Sequence, residues 1–189
     1  MRLPLFPLSS HLLPQGRLAL RIFEPRYIRM VKEVCAVQSG FVICMINETG
    51  ERALNTHIFP IGTYCKVIDF DILDDGLLGV TVEGHYCVSI NNIETEHDGL
   101  RVGDCNEASI WQSKSPNNDI ENINEKLREV FQQYPEVSEL YDDVRFNETE
   151  WVINRWLELL PVAAEQKQHF LKSGDTQKVF QYLNQLIKP

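Results

Sequence analysis

An α+β fold, strand-rich first and helical second, is predicted by two changes of pattern along the 189 residues. Up to about residue 111, short apolar or alternating runs are punctuated by glycine, asparagine and aspartate, the pattern of strands and turns. Beyond about residue 120, apolar residues recur every three or four positions, the period of helices. Between them, Gln112-Ser113-Lys114-Ser115-Pro116-Asn117-Asn118-Asp119 is polar, contains a proline and ends in good capping residues, so it is expected to be a linker. The expected division is a β subdomain over 1–111, a linker over 112–119 and a helical subdomain over 120–189.

In the first part, Glu24-Pro25 is a plausible helix start, because proline at the first helical position gives up no needed hydrogen bond. Tyr27, Ile28, Val31, Val34 and Cys35 then fall on one stripe. Phe41 to Ile46 is a continuous apolar run, expected to be a strand buried on both faces. In the next strand Tyr64, Ile68, Phe70 and Ile72 are expected on one face, with Asp69 and Asp71 on the other. Asp74-Asp75-Gly76 supplies a hairpin turn into 77–83, and Tyr86, Val88 and Ile90 alternate again. His97-Asp98-Gly99 is a further turn signal before a strand over 100–110. Consecutive hairpins of this kind imply a curled antiparallel sheet or partly closed barrel.

In the second part Ile120, Ile123, Leu127, Val130 and Phe131 form one amphipathic stripe. Val152, Trp156, Leu159 and Leu160 form another, which Pro161 should end while opening the next helix. Phe170 and Leu171 belong to that helix, Ser173-Gly174 breaks it, and Val179, Phe180, Leu183 and Ile187 mark a last one.

Composition narrows the function. With 18 basic and 27 acidic residues the net charge is -9, which opposes phosphate binding over most of the surface. The balance holds in both parts, with 9 basic against 14 acidic residues in 1–111 and 9 against 13 in the remainder. Nucleic acid is therefore not the expected partner. Cys35, Cys44, Cys65, Cys87 and Cys105 lie far apart with no Cys-x-x-Cys pair, so they read as small hydrophobes in a reducing cytoplasm. The N-terminal Met1 to Leu8 is too proline-broken for a signal peptide, and no run approaches the ~18 apolar residues that span a bilayer, so no membrane role is expected.

Leu3-Pro4-Leu5-Phe6-Pro7-Leu8, then Pro14, then Leu20-Arg21-Ile22-Phe23-Glu24-Pro25-Arg26-Tyr27 entering the helix, resembles the N-terminal substrate-binding domain of the Lon protease family. Gly62, Asp69, the Asp75-Gly76 turn and Val82-Glu83-Gly84 occur in the family's order. So do Leu159-Leu160-Pro161, Glu165-Gln166-Lys167-Gln168 and Leu171. The resemblance spans nearly the whole chain, though about 112–148 matches only as generic helix.

The resemblance implies a PUA-like β-barrel of the LON-domain type with one inserted helix, followed by a C-terminal helical bundle. It implies structural roles for Pro14, Phe23, Glu24, Pro25, Arg26, Tyr27, Glu83 and Gly84, with Arg26 a candidate partner for an acid such as Glu83. Full Lon proteases continue into an ATPase and a serine-lysine peptidase. This sequence ends at Pro189 with neither, and no glycine pair has the G-x-x-x-x-G-K-[ST] spacing of a phosphate-binding loop. A free-standing, non-catalytic recognition module is therefore expected, with no catalytic residue, metal or cofactor. The implied partner is unfolded or degron-bearing polypeptide, with a separate protease or ATPase acting on what is captured.

Leu12 and Leu13, between Ser9-Ser10 and Pro14-Gln15-Gly16, are candidate peptide-binding residues if the loop leaves them exposed, and core residues if it packs. A small-ligand or enzymatic reuse of the barrel mouth is the alternative function, and an RNA-binding PUA-like module the third. Arg2, Arg17, Arg21, Arg26, Arg29 and Lys32 make the N-terminus locally basic, either as a docking patch or as the solvated face of the helix. Asp69, Asp71, Asp74 and Asp75 fail as a calcium loop, because Leu73 falls on the fifth ligand position. His57, His85, Cys87 and His97 lack a third ligand or an orienting acid at any fixed spacing, with His85 and Cys87 expected on one side of their strand. Ser113-Lys114 lies in the expected linker, where a nucleophile and base would not be held in place.

Overall fold

The computed structural model describes residues 1–111 and 120–187, so the expected linker over 112–119 lies outside the described residues. Two compact units are present, Met1–Ser109 and Ile110–Pro189. The first contains strands β1 (Arg2–Leu8), β2 (Arg17–Ile22), β3 (Phe41–Ile46), β4 (Ile58–Ile72), β5 (Leu78–Thr95) and β6 (Arg101–Glu107), with helix α1 (Pro25–Ala36) between β2 and β3. The second contains α2 (Ile120–Gln133), α3 (Pro135–Ser138), α4 (Thr149–Leu159), α5 (Ala164–Ser173) and α6 (Thr176–Ile187).

The sheet is mixed rather than antiparallel throughout. Its strand order is β2-β5-β4-β3-β1-β6, with β6 also pairing back to β5, and β1 runs parallel to β3 with Leu5 beside Val42. The 18-residue β5 is one strand, not two. Its first part holds β2 and its last part holds β6, so the pairings run in a circuit through β5, β4, β3, β1 and β6.

β3 is buried on both faces, as its unbroken apolar run requires. Phe41 and Ile43 join one core with Phe6, Ile22, Val80, Val82 and the α1 residues Met30, Val31 and Val34. Val42 and Cys44 join a second core with Leu3, Leu5, Tyr64, Val88 and Ile90. On α1, Met30 is buried where Cys35 was expected; Cys35 is exposed, while the other four cysteines are buried.

Two bulges overturn the expected faces of the β4–β5 hairpin. The register shifts between Tyr64 and Cys65, with His85 as the extra residue on β5, and again between Val67 and Asp69, with Ile68 as the extra residue on β4. Each extra residue inverts the side-chain alternation beyond it. Phe70 and Ile72 therefore pair with Val80 and Leu78 and lie on the face opposite Tyr64. Because the hairpin runs past the core, Ile68, Phe70 and Ile72 are all exposed. His85 is likewise exposed while Cys87 is buried, so the two do not share a site. Gly76, at φ +81, closes the hairpin with its N–H donating to the Leu73 carbonyl at 2.7 Å.

The basic face of α1 is not simply solvated. Arg29 reaches Glu33 at 3.1 Å, Asp98 at 2.8 Å and also Glu96, tying the helix to the turn before β6. The Arg29 guanidinium, then the Leu100 N–H, hold the Asp98 carboxyl down from 3.8 to about 2. A depressed carboxyl contributes stability above its unfolded value that is lost as pH falls through its folded value. Asp98→Asn is therefore expected to flatten the acid limb of the pH–stability curve between pH about 4 and about 2. An acid limb identical to that of the parent would contradict this tie.

In the helical unit, α4 is buried nearly all round from Trp151 to Leu157, rather than along a stripe, and Leu159 is exposed. The helix ends at Leu160, which is extended at ψ 140, as a residue before proline prefers. α5 begins at Ala164, so Pro161 ends one helix but does not open the next. Gly174, at φ +64, caps α5. Trp151 sits among Phe131, Tyr141 and Phe146, at ring separations of 5.7, 5.8 and 5.5 Å. Trp111 and Trp156 each donate an indole N–H, to Asn154 Oδ1 at 3.0 Å and to the Ile123 carbonyl at 3.2 Å.

Candidate functional site

The open side of the sheet unit is β2. It pairs with β5 from Arg17–Glu83 to Ile22–Leu78, and among the described residues no strand pairs with its other side. An unpaired edge presents backbone N–H and C=O groups to any extended chain that reaches it. The chain leaves β2 with Ile22 pointing into the core and Phe23 outward, 67% exposed. Phe23 and Leu20 help line a cleft of about 600 Å³, walled also by Pro7 and Leu8 of β1, Ile46 at the end of β3, Glu48 beyond it, and Arg52, His57 and Arg101. A smaller cleft of about 320 Å³ lies beside Ala19, Leu20 and Arg21, against Phe70, Leu73 and Val80. Phe70 is 70% exposed. Leu20 and Arg21 thus border both clefts.

At the head of α1 lie Glu24, Pro25, Arg26 and Tyr27. Arg26 pairs with Glu24 at 2.6 Å, not with Glu83, and donates through Nη1 to the Gly99 carbonyl at 3.1 Å. Its guanidinium also lies 4.8 Å from the Tyr27 ring, which packs edge-on against Phe6 at 4.2 Å. Burial, the largest influence, pushes the Tyr27 phenol up. Glu24 is the N-cap residue and Pro25 opens the helix. Glu83 pairs instead with Arg17 at 2.9 Å, directly across the β2–β5 ladder.

Leu12 and Leu13 are buried at 1% and 0% exposure, so of the two readings their loop allowed it is the packed one that the structure shows. Hydrogen bonds fix the reason. Thr63 Oγ1 donates to the Leu12 carbonyl at 2.6 Å, Gln15 N–H to the Gly84 carbonyl at 2.7 Å, and Gly84 N–H to the Gly16 carbonyl at 2.9 Å. This clamp holds the segment, Pro14 included, against β4 and β5. Gly84 is required because a Cβ there would collide with the Leu13 carbonyl. Phe23, Ile68, Phe70 and Ile72 are among the apolar side chains that do face solvent.

Arg52, His57 and Arg101 are cleft residues that sequence spacing did not bring together, because they come from the loop between β3 and β4 and from the start of β6. Arg101 donates through Nε to Asn55 Oδ1 at 2.7 Å and through Nη1 to the Gly99 carbonyl at 2.9 Å. Two guanidinia, those of Arg26 and Arg101, thus converge on one carbonyl oxygen. Burial first, then Arg101 and Arg52, lower the His57 pKa. Its Nδ1 is buried without a hydrogen-bond partner among the described residues. No group of three or more metal-binding side chains occurs among the described residues, and none of their helices is long and apolar enough to cross a membrane.

The sheet unit thus joins a mixed sheet, one inserted helix, an unpaired edge and an open cleft. The model of the ATP-dependent protease La (LON) substrate-binding domain matches residues 2–188, and the chain belongs to that family. Its structure is similar to that of the Lon N-terminal domain protein from Xanthomonas campestris, with a TM-score of 0.75 and 25% identity over 100% of this chain and 99% of that one. It also resembles the N-terminal domain of the Mycobacterium avium complex Lon protease, at TM-score 0.63 and 12% identity over 97% of this chain and 96% of that one, a likeness of fold. No curated protein matches the sequence significantly.

Proposed function

We propose that this chain is a non-catalytic module that captures extended, apolar polypeptide along the edge of β2. The observation that carries the reading is the coincidence, on one strand, of an unpaired edge and two flanking clefts with exposed Phe23 and Phe70. Backbone groups on the edge would pair with the captured chain, and the clefts would take its alternate side chains. Membership of the substrate-binding family supports polypeptide as the ligand class. On this reading the circuit of strand pairings is a closed barrel bearing an extra edge strand, and the helical unit a bundle. A separate ATPase or protease in the cytoplasm acts on what is captured, and neither nucleic acid nor membrane takes part.

A single such site gives micromolar or weaker affinity, since several weak sites acting together gain strength that one lacks. Titrating a labelled unfolded protein and a labelled RNA at two salt concentrations tests this. Polypeptide binding with a negative heat-capacity change is expected. Salt-sensitive RNA binding without polypeptide binding would overturn the reading. Silence from both would turn attention to a small ligand, because the larger cleft falls in the size range of small-molecule sites.

A further inference from the structure

The larger cleft carries a feature that apolar capture alone does not use. In a chain of net charge -9, Arg26, Arg52 and Arg101 all line it, together with His57. The acids in its lining are Glu24 and Glu48. Glu24 is already committed to Arg26, and no carboxylate is among the charges that act on His57, which are those of Arg101 and Arg52. Arg101 spends Nε and Nη1 on Asn55 and Gly99, leaving Nη2 without a partner among the described residues. The Arg52 carbonyl accepts from the Asn55 N–H at 3.3 Å, but its guanidinium makes no hydrogen bond or ion pair among the described residues. A cluster of cationic donors gathered in a concave site, in which neither Arg52 nor Arg101 is paired with a carboxylate among the described residues, is the arrangement that recognises an oxyanion.

Resting on the capture reading above, we propose that the cleft reads a carboxylate of the captured polypeptide, held between Arg52, Arg101 and His57, so that the preferred substrates are apolar segments carrying an acidic group. The overall negative charge does not forbid this. At physiological salt charges more than about 8 Å apart are largely screened, so the field inside the cleft is set by its own walls. Polypeptide rather than nucleic acid is favoured because the same cleft presents Leu8, Leu20 and Phe23 beside the cations, and offers an exposed edge strand next to them.

Three peptides of one leucine- and phenylalanine-containing sequence distinguish the sources of the carboxylate. The first carries two glutamates and an amidated C-terminus, the second has glutamines in their place, and the third is the glutamine peptide with a free C-terminal carboxylate. Their affinities for the full chain are measured by calorimetry, while the His57 imidazole is titrated by NMR. A carboxylate-bearing peptide is expected to bind about tenfold more tightly than the all-amide one, with the His57 pKa rising on binding. Whether the first or the third gains shows whether a side chain or a chain end is read. The preference should disappear in Arg52→Gln, a substitution that breaks no described side-chain hydrogen bond or ion pair. Equal affinity for all three peptides, or a preference that survives in Arg52→Gln with His57 unmoved, would overturn the inference while leaving polypeptide capture intact. Failure of every peptide to bind would overturn both.

Discussion

Leu13→Ala is expected to destabilise the sheet unit by about 2–5 kcal/mol, the cost of a cavity left by a fully buried leucine. The side chain is 0% exposed, and its backbone is clamped. Gly16 N–H donates to its carbonyl at 3.0 Å, while Thr63 and Gly84 hold the residues on either side. With the loop pinned on both flanks, little collapse into the vacated space is available, which places the cost toward the upper part of that range. Hydrogen exchange of the β3 and β4 amides measures it, since those strands form the centre of the unit. A cost below about 0.5 kcal/mol, typical of surface positions, would restore Leu13 to the exposed loop that the sequence allowed.

The second large effect belongs to the helical unit. Arg155, 1% exposed, meets Glu158 through Nε at 2.6 Å and Nη2 at 2.8 Å, while its guanidinium lies 5.3 Å from the Trp151 ring. Glu158→Ala removes the carboxylate and leaves a guanidinium that cannot be neutralised by losing its proton. Breaking one side of a buried pair costs about 3–5 kcal/mol, whereas replacing both partners with apolar residues is often neutral or stabilising. The double variant Arg155→Met with Glu158→Leu is therefore expected to be markedly more stable than Glu158→Ala alone. Tryptophan fluorescence reports this unit selectively, because all three tryptophans, Trp111, Trp151 and Trp156, lie within it. Equal destabilisation of the single and double variants would show that Glu158 acts by packing rather than by charge.

Local chemistry was legible in the sequence and non-local geometry was not. The unbroken apolar run of β3 could satisfy only a strand covered on both sides, and Glu24-Pro25 and Gly174 punctuate helices by their own backbone preferences. The parallel pairing of β1 with β3 left no such mark, since it joins segments separated by α1. The facing of Phe70 and Ile72 depended on bulges at His85 and Ile68, which alternation counted along one strand cannot register. Leu12 and Leu13 looked like a loop because Ser9, Ser10, Pro14 and Gly16 surround them; their burial follows from hydrogen bonds to Thr63 and Gly84, distant in sequence. The cations of the cleft were invisible for the same reason, Arg52, His57 and Arg101 being brought together only by the turns that precede β4 and β6. Phe23 left a readable trace, because the inward Ile22 before it sets the phase that turns Phe23 outward.

On the proposed function, polypeptide binds along β2 and its clefts. Backbone amide shifts of the full chain, followed by NMR as an unfolded polypeptide is added, test it most directly. The expected result is a continuous set of perturbed amides along 18–23, with further changes at 70–73 and 46–57, and slowed exchange of β2 amides in the complex. Perturbations confined to the Asp98 turn or to the helical unit, with β2 unchanged at saturation, would contradict it.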